Sequence, residues 1–315
     1  MNHLGIEIGG TKLQLVIGST TGSIIARERR VVAKDRGGEG IREQIAAALP
    51  GLIARHRPGA IGVGFGGPIN WRTGRIECSH QIPGWANFPL GDWLRERTGL
   101  PVVADNDANV AALGEARLGA GRDADPVFYI TMGSGAGGGL VAGGLIYHGA
   151  TPGEAEIGHV RLNRQGTKLE DRCSGWAVDR RLREAAAAAP GSVLAGLLRS
   201  RVGGGGEAGQ LASALAAGCP AAGQVLAETV DDLSFGLSHV VQLFHPAIIG
   251  LGGGLSLVGE PLRMAIERRL PAYVMDSFQP GPRVALAGLG EDAVPIGALV
   301  LAAGFSPHQG RPTLS

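Results

Sequence analysis

Three glycine clusters each follow an apolar run: Gly9-Gly10 after Leu4–Ile8, Gly133–Gly139 after Val127–Met132, and Gly252–Gly254 after Ala247–Leu251. Glycine lets backbone N–H groups converge on an anion with no Cβ in the way. Thr11 and Lys12 set a hydroxyl and a cation beside the first cluster. A single cluster reads equally well as a tight turn. Three at strand ends point to a nucleoside polyphosphate held between two domains. Asp105-Asn106-Asp107-Ala108-Asn109 follows Val102–Ala104 and opens a helical pattern. A carboxylate there can take a hydroxyl proton and orient a nucleophile in phosphoryl transfer. Asp and Asn also serve as helix caps, and one can cap while its neighbour works. In Glu154-Ala155-Glu156-Ile157-Gly158-His159 a carboxylate precedes an imidazole by three positions. That pair is either a solvated turn with a surface histidine or a hydrogen-bonding set suited to a polyhydroxylated ligand.

Other chemistries fit less well. Gly133-x-Gly135-x-x-Gly138 matches a dinucleotide fingerprint, with Glu154 at about the expected distance. The fingerprint needs a helix after the glycines, whereas Gly139–Gly144 reads as strand and turn. No Gly-x4-Gly-Lys-Ser/Thr loop is present. For a metal site near the carboxylate–imidazole pair His159 and Cys173 are the only plausible soft ligands, no Cys-x-x-Cys or His-x3-His spacing exists, and structural zinc normally takes four ligands, so no structural zinc is expected. Basic and acidic residues balance, 29 against 28, and aromatics are 4% of the chain. Neither the charge of a nucleic-acid or anionic-membrane binder nor the stacking platform of a single-strand binder is there.

These residues need elements to position them. In 315 residues, two domains are expected. The 54 glycines lack a three-residue period, so the chain is not collagen-like, and at 44% hydrophobic it is not disordered. The opening reads as an antiparallel meander: Leu4–Ile8, Leu13–Ile17, Ser23–Val32. A helix over Gly40–Arg55, a strand at Ala60–Gly64, a helix over Asp92–Gly99, a strand at Val102–Ala104 and a helix over Asp105–Gly119 follow. The pattern then returns with strands at Val127–Met132, Leu140–Ala142 and Leu145–Tyr147, which implies two copies of one α/β unit. Ser174 to about Glu228 is Ala-rich and helical, broken at Pro190-Gly191 and Gly203–Gly206, and Thr229–Leu243 is a separate helix. Strands at Ala247–Leu251 and Val284–Ala287 and helices at Pro261–Arg269 and Ile296–Ala303 complete the chain. Three widely spaced cysteines suit reduced thiols in a cytoplasm. No signal peptide or membrane span is evident.

Taken together, the motifs resemble the ROK-type sugar kinases (repressor, open reading frame, kinase) of the actin-like ATPase superfamily, over about Leu4 to Gly304. Glu7–Lys12 resembles the first phosphate motif and Trp85–Leu90 the sugar loop. Asp105–Asn109 with Gly114-Glu115 resembles the catalytic motif, and Thr131–Gly137 the second phosphate motif. Gly153–His159 resembles the sugar signature and Leu251–Ser256 the adenosine side.

The resemblance implies a two-domain, ribonuclease H-like α/β fold of duplicated βββαβαβα units with a cleft between them. Its domains would be 1–117 completed by a C-terminal helix at about 294–305, then 118–293, with a flexible tail at 306–315. Asp107 would be the general base. Gly66, Asn87, Asn106, Asp107, Glu156, His159 and Glu170 would hold the sugar. Gly9, Gly10, Thr11, Lys12, Thr131, Gly133, Ser134 and Gly135 would meet phosphates, and Gly253 and Gly254 the nucleotide. ATP with Mg²⁺ would be the donor, the acceptor a hexose such as glucose, and the state a cytoplasmic homodimer. Fructose, allose or an N-acetylated amino sugar (N-acetylglucosamine, N-acetylmannosamine) are alternative acceptors, and polyphosphate an alternative donor. A DNA-binding repressor would need a module ahead of the first phosphate motif, which begins within ten residues of Met1. Two departures stand out. Glu7 replaces the usual Asp, one methylene longer near Mg²⁺, which leaves room for a sugar sensor without catalysis. The zinc-binding cysteine loop before Leu169-Glu170 is missing.

Overall fold

The protein is described from a computed structural model that covers residues 1–79, 81–150, 155–200 and 206–304. Glu154 and the tail 306–315, singled out from sequence, lie outside the described residues. The chain runs β1 (His3–Ile8), β2 (Lys12–Gly18), β3 (Ile24–Val31), α1 (Gly37–His56), β4 (Ile61–Phe65), β5 (Ile69–Asn70), β6 (Arg75–Ile76), α2 (Leu90–Thr98), β7 (Val102–Asn106) and α3 (Asp107–Leu118). It continues β8 (Val127–Met132), β9 (Ala136–Ala142), β10 (Leu145–Ile146), α4 (Leu169–Cys173), α5 (Gly175–Ala188), α6 (Val193–Arg199), α7 (Leu211–Ala216), α8 (Pro220–Phe244), β11 (Ile248–Gly252), α9 (Glu260–Arg269), β12 (Arg283–Leu286) and α10 (Ala293–Ala303).

Two five-stranded sheets form, in the orders β3-β2-β1-β4-β7 and β10-β9-β8-β11-β12. The orders correspond strand for strand. In each, the first strand pairs antiparallel with the next and parallel with a later one, β1 with β4 and β8 with β11. The duplicated unit read from sequence is therefore present twice. The β5–β6 hairpin is inserted in the first copy, and helices α4 to α7 in the second. The central strands β1, β4 and β11 are apolar along nearly their whole length, as strands of a parallel core covered on both faces must be.

The chain divides into two compact units. One comprises Met1–Arg122, Gly144–Glu154 and Glu291–Ser315; the other Asp123–Gly143 and Ala155–Gly290. This partition differs from the boundary drawn from sequence chiefly at Gly144–Glu154, which groups with the first unit. Each unit has its own core. Leu4, Ile6, Leu15, Ile61, Phe65 and Trp85 anchor the first, and Phe128, Ile130, Leu169, Leu233 and Leu251 the second.

Two elements differ from the sequence reading. Strand β7 runs on through Asp105 and Asn106, so α3 starts at Asp107. Pairing with β4 (Gly64↔Asp105, Phe65↔Asn106) holds both residues extended, and the Asn106 side chain then caps the helix. Helix α8 is continuous through Thr229, whose hydroxyl is satisfied by Val225 O at 2.7 Å inside the helix. Among the described residues no helix is long and apolar enough to cross a membrane.

Helix α10 lies against β1, β4 and α3 in the first unit, and glycine sets how closely. A Cβ at Gly62 would stand 1.9 Å from Ala298 O, and one at Gly297 would stand 1.8 Å from Val110 O. Both obstacles are backbone, which cannot swing aside. Overpacking of this kind costs about 1–3 kcal/mol, more than the roughly 1 kcal/mol of helix propensity that alanine recovers over glycine. Gly297→Ala is expected to lower the urea midpoint by the equivalent of at least about 1 kcal/mol, with unchanged m, in equilibrium denaturation.

Candidate functional site

In the first unit the β1–β2 turn and the start of α3 come together through Gly66. Its N–H donates to Ile8 O at 2.8 Å. A Cβ on Gly66 would lie 3.3 Å from Asp107 Oδ2, 3.3 Å from Ile8 O and 3.5 Å from Gly9 Cα. Asp107 is half-buried at the first position of α3, where the helix dipole favours negative charge. The Asn106 side chain accepts from Ala108 N (2.8 Å) and Asn109 N (3.4 Å), and its amide donates to Gly67 O at 3.2 Å. Asn106 is therefore the cap, and that task does not fall to its neighbour Asp107.

Not every predicted amide in the phosphate turns is available. Gly9 N–H donates to Lys12 O at 2.9 Å within the first turn, and Gly133 N–H to Gly135 O at 2.9 Å within the second. The two copies spend the same amide in shaping the turn. The Gln81 side chain lies over Gly10, its Oε1 1.7 Å from where a Cβ would be. A phosphate seated on Gly10 has to displace this flexible amide. Nothing in the sequence spacing of Gln81 announces the contact, which arises from loop folding.

Glu7, the longer acid, is half-buried beside Gln14, its register partner on β2. Gln14 Nε2 donates to Glu7 Oε2 at 2.6 Å, and Lys12 Nζ lies 3.7 Å away. Burial pushes the Glu7 carboxyl above its ordinary range, opposed by Lys12 and Gln14. Gln14 Oε1 accepts in turn from Arg27 and Arg29, each at 2.9 Å. Asn87 sits at φ +56°, a left-handed conformation that Asn tolerates, with Arg75 Nη1 on its carbonyl at 2.5 Å.

In the second unit, Thr131 ends β8 in register with Gly252 of β11. Gly253, at φ +78°, packs so tightly on Met132 that a Cβ would stand 2.4 Å from its backbone N. The second and third glycine clusters thus meet, with Gly254 starting the following turn. Gly175 N–H, at the start of α5, donates to Gly133 O at 2.7 Å. Glu170 on α4 points at this corner: its Oε2 lies 3.2 Å from a Cβ position on Gly135, and its Oε1 3.9 Å from His159 Nε2. His159 closes the turn Ile157–His159 that Glu156 opens. That turn is pinned by Gly158, where a Cβ would meet Ala136 O at 2.1 Å.

Glu170, His159 and Gly135 are therefore gathered in one unit, and Asp107, Gly66 and Gly9 in the other. Among the described residues no group of three or more His, Cys, Asp or Glu is placed to hold a metal ion. Cys173, adjacent in sequence to the signature, is fully buried, which pushes its thiol up to about 12.

The paired sheets, each with three antiparallel strands followed by parallel crossovers, are the actin-like ATPase fold of kinases. A ROK family glucokinase from Streptomyces griseus, in complex with glucose and AMPPNP, superposes with a TM-score of 0.84 at 32% identity, over 96% of this chain and 99% of that one. A glucokinase of Halalkalibacterium halodurans is 35% identical over 315 residues, spanning 94% of this chain and 93% of its own. One of Thermotoga maritima is 32% identical over 303 residues, at 94% and 95%. Residues 3–304 match the ROK family, and the chain belongs to it.

Ala155, just ahead of the Glu156 turn, sits at φ +51°. Left-handed backbone costs a residue with a Cβ about 1–2 kcal/mol, whereas glycine's added freedom in the unfolded chain costs about 0.5–1 kcal/mol. Ala155→Gly is expected to stabilise the protein, by up to about 1 kcal/mol, read as a rise in thermal midpoint.

Proposed function

We propose that this protein transfers the γ-phosphoryl group of ATP to a hydroxyl of a hexose, glucose to glucose 6-phosphate before others. It is a sugar kinase. The reading is carried by the Asp107 carboxylate held against Gly66 and the Ile8–Gly9 turn, an acid beside a phosphate-sized glycine turn. Support comes also from glucokinases at 32–35% identity over nearly the whole chain.

The residues suit a nucleoside triphosphate. Over Gly10 lies only the flexible Gln81 side chain, which a phosphate can displace, and the missing Cβ of Gly253 lets its backbone close on Met132. Gly10, Thr11 and Lys12 hold phosphate oxygens from one unit, and Thr131, Ser134 and Gly135 from the other. Gly253 and Gly254 lie against the nucleotide, and Gly9 and Gly133 contribute the turn shape. ATP, as its Mg²⁺ complex, supplies the phosphoryl group. Glu7, restrained by Gln14, is the acid that would serve the metal, through water.

Asn87, Asn106, Gly66, Glu156, His159 and Glu170 hold the sugar. Carboxylates accept from hydroxyls while the amides and the imidazole both accept and donate, so acceptors lacking those hydroxyls leave polar groups unpaired. Asp107 takes the hydroxyl proton as the oxygen attacks and keeps that oxygen in line. Cys173 and Cys219 are free thiols, in keeping with a reducing cytoplasm, where the enzyme acts as a homodimer.

The test is a coupled ADP assay with ATP, Mg²⁺ and a panel of glucose, fructose, allose, N-acetylglucosamine and N-acetylmannosamine. Glucose is expected to give the highest kcat/KM. If another sugar leads, the acceptor assignment is wrong; if glucose binds calorimetrically yet no sugar yields ADP, the protein is a sensor. Asp107→Asn is expected to lower kcat about 10²–10⁴-fold with the glucose KM changed far less. A variant of near wild-type turnover would remove Asp107 as the base.

A further inference from the structure

Beside the proposed base lies a hydrogen-bonded cluster, centred on a buried acid, to which no role has been assigned. Asp105, 2% exposed, is the penultimate residue of β7, two residues before Asp107. Its Oδ1 accepts from Asn106 N at 2.7 Å and from Asn109 Nδ2 at 3.1 Å, so it braces the first turn of α3. Its Oδ2 lies 2.6 Å from His148 Nε2, which donates to it. The His148 ring stacks on Trp71, centroids 4.1 Å apart and planes 14° from parallel. His148 belongs to the segment that leaves β9 at Gly143-Gly144. The start of that segment is tied to the far end of α3, where Arg117 Nη2 donates to Gly144 O at 2.7 Å. The segment is thus fixed at both ends to the β7–α3 element that carries Asp107. Eight residues after His148 the chain reaches Glu156, and eleven after it His159.

We propose that His148 is a positioning residue: through Asp105 it locks the Asn106–Asp107 turn, coupling the Gly144–His148 segment to the placement of the proposed base. The inference rests on the kinase reading and deepens it. Asp105 needs the imidazole N–H because a buried carboxylate that loses a donor draws on its remaining ones. Those are the Asn106 amide and the Asn109 side chain, which set where α3 begins. A shift of about 1 Å at a reacting group can cost about 100-fold in rate. Trp71 restricts the ring to the orientation that presents Nε2.

The experiment compares wild type, His148→Ala and His148→Gln, whose side-chain N–H₂ can reach the place of Nε2. His148→Ala is expected to lower kcat by about 10- to 100-fold and raise the sugar KM, with the ATP KM within about twofold. His148→Gln is expected to recover most of the loss. Unchanged kcat and sugar KM in His148→Ala would overturn the proposal. So would an equal loss in both variants, or an ATP KM that moves in step with the sugar KM, because both mark a general structural role. Should His148→Ala not fold, hydrogen exchange in wild type and His148→Gln decides. Glucose is expected to slow exchange at Ala108, Asn109 and the 144–148 segment together in both; no change there overturns the coupling. If wild type phosphorylates no sugar in the panel, the kinase reading fails by itself. The lock is then judged by amide exchange at Ala108 and Asn109, faster in His148→Ala than in wild type if the lock exists and equal if it does not.

Discussion

Close approach of backbone to backbone, at points where no Cβ stands in the way, is the constraint on which this structure depends. α10 can cover β4 only because residue 62 is glycine, and can meet α3 only because residue 297 is. The same device acts at the site. Gly66 admits the Asp107 carboxylate beside the β1–β2 turn, and Gly253 brings the third glycine cluster onto the end of β8. A richer side-chain complement would bury more apolar surface at each of these points, but it would hold the strand ends apart. At these positions glycine serves close backbone approach, not a flexible linker.

Duplication explains much of the rest. Both sheets have the same strand order, and both first hairpins use one internal N–H···O bond of their glycine turn to set the loop. The copies have diverged around that shared frame. The first follows its fifth strand directly with a helix whose cap and first residue are Asn106 and Asp107, so an acid stands at the turn. The second inserts helices after β10, and that insertion delivers Glu170 to Gly135 and His159. One repeated turn thereby stands beside two kinds of residue, the proposed base in one copy and a carboxylate–imidazole pair in the other.

What the sequence made legible was what is local or periodic: apolar strands, the glycine turns behind them, the helix patterns and their recurrence. It placed the α3 start two residues early because Asp and Asn favour caps wherever they occur. Only pairing with β4 decides that Asp105 stays in the strand. It broke α8 at Thr229 because a β-branched polar residue is a weak helix former, while the fold satisfies that hydroxyl internally. Glu7, Asp107 and His159 could be singled out because their residue types stand next to recognisable turns. Gln81, Gln14 and His148 could not. Their partners lie 71, 7 and 43 positions away in sequence, and those contacts exist only once loops and strands have come together.

The exchange of Asp for Glu at residue 7 is where residue type alone would suggest lost activity. Its surroundings argue otherwise. An added methylene on an unrestrained acid would move the carboxylate over a wide arc. Here the acid is caught by Gln14, which is itself fully buried and held by two arginines, one of which reaches Asp292 at 2.6 Å just before α10. Burial disfavours the charged form of Glu7, but Lys12 and the Gln14 amide oppose it. The ordered row Glu7–Gln14–Arg29 across three strands spends buried polar groups on one side chain. A carboxylate without a task would leave that row costly and without purpose, since apolar residues of similar size would cover the sheet at least as well. The row therefore fits the proposed working acid at residue 7 better than a vestige of one.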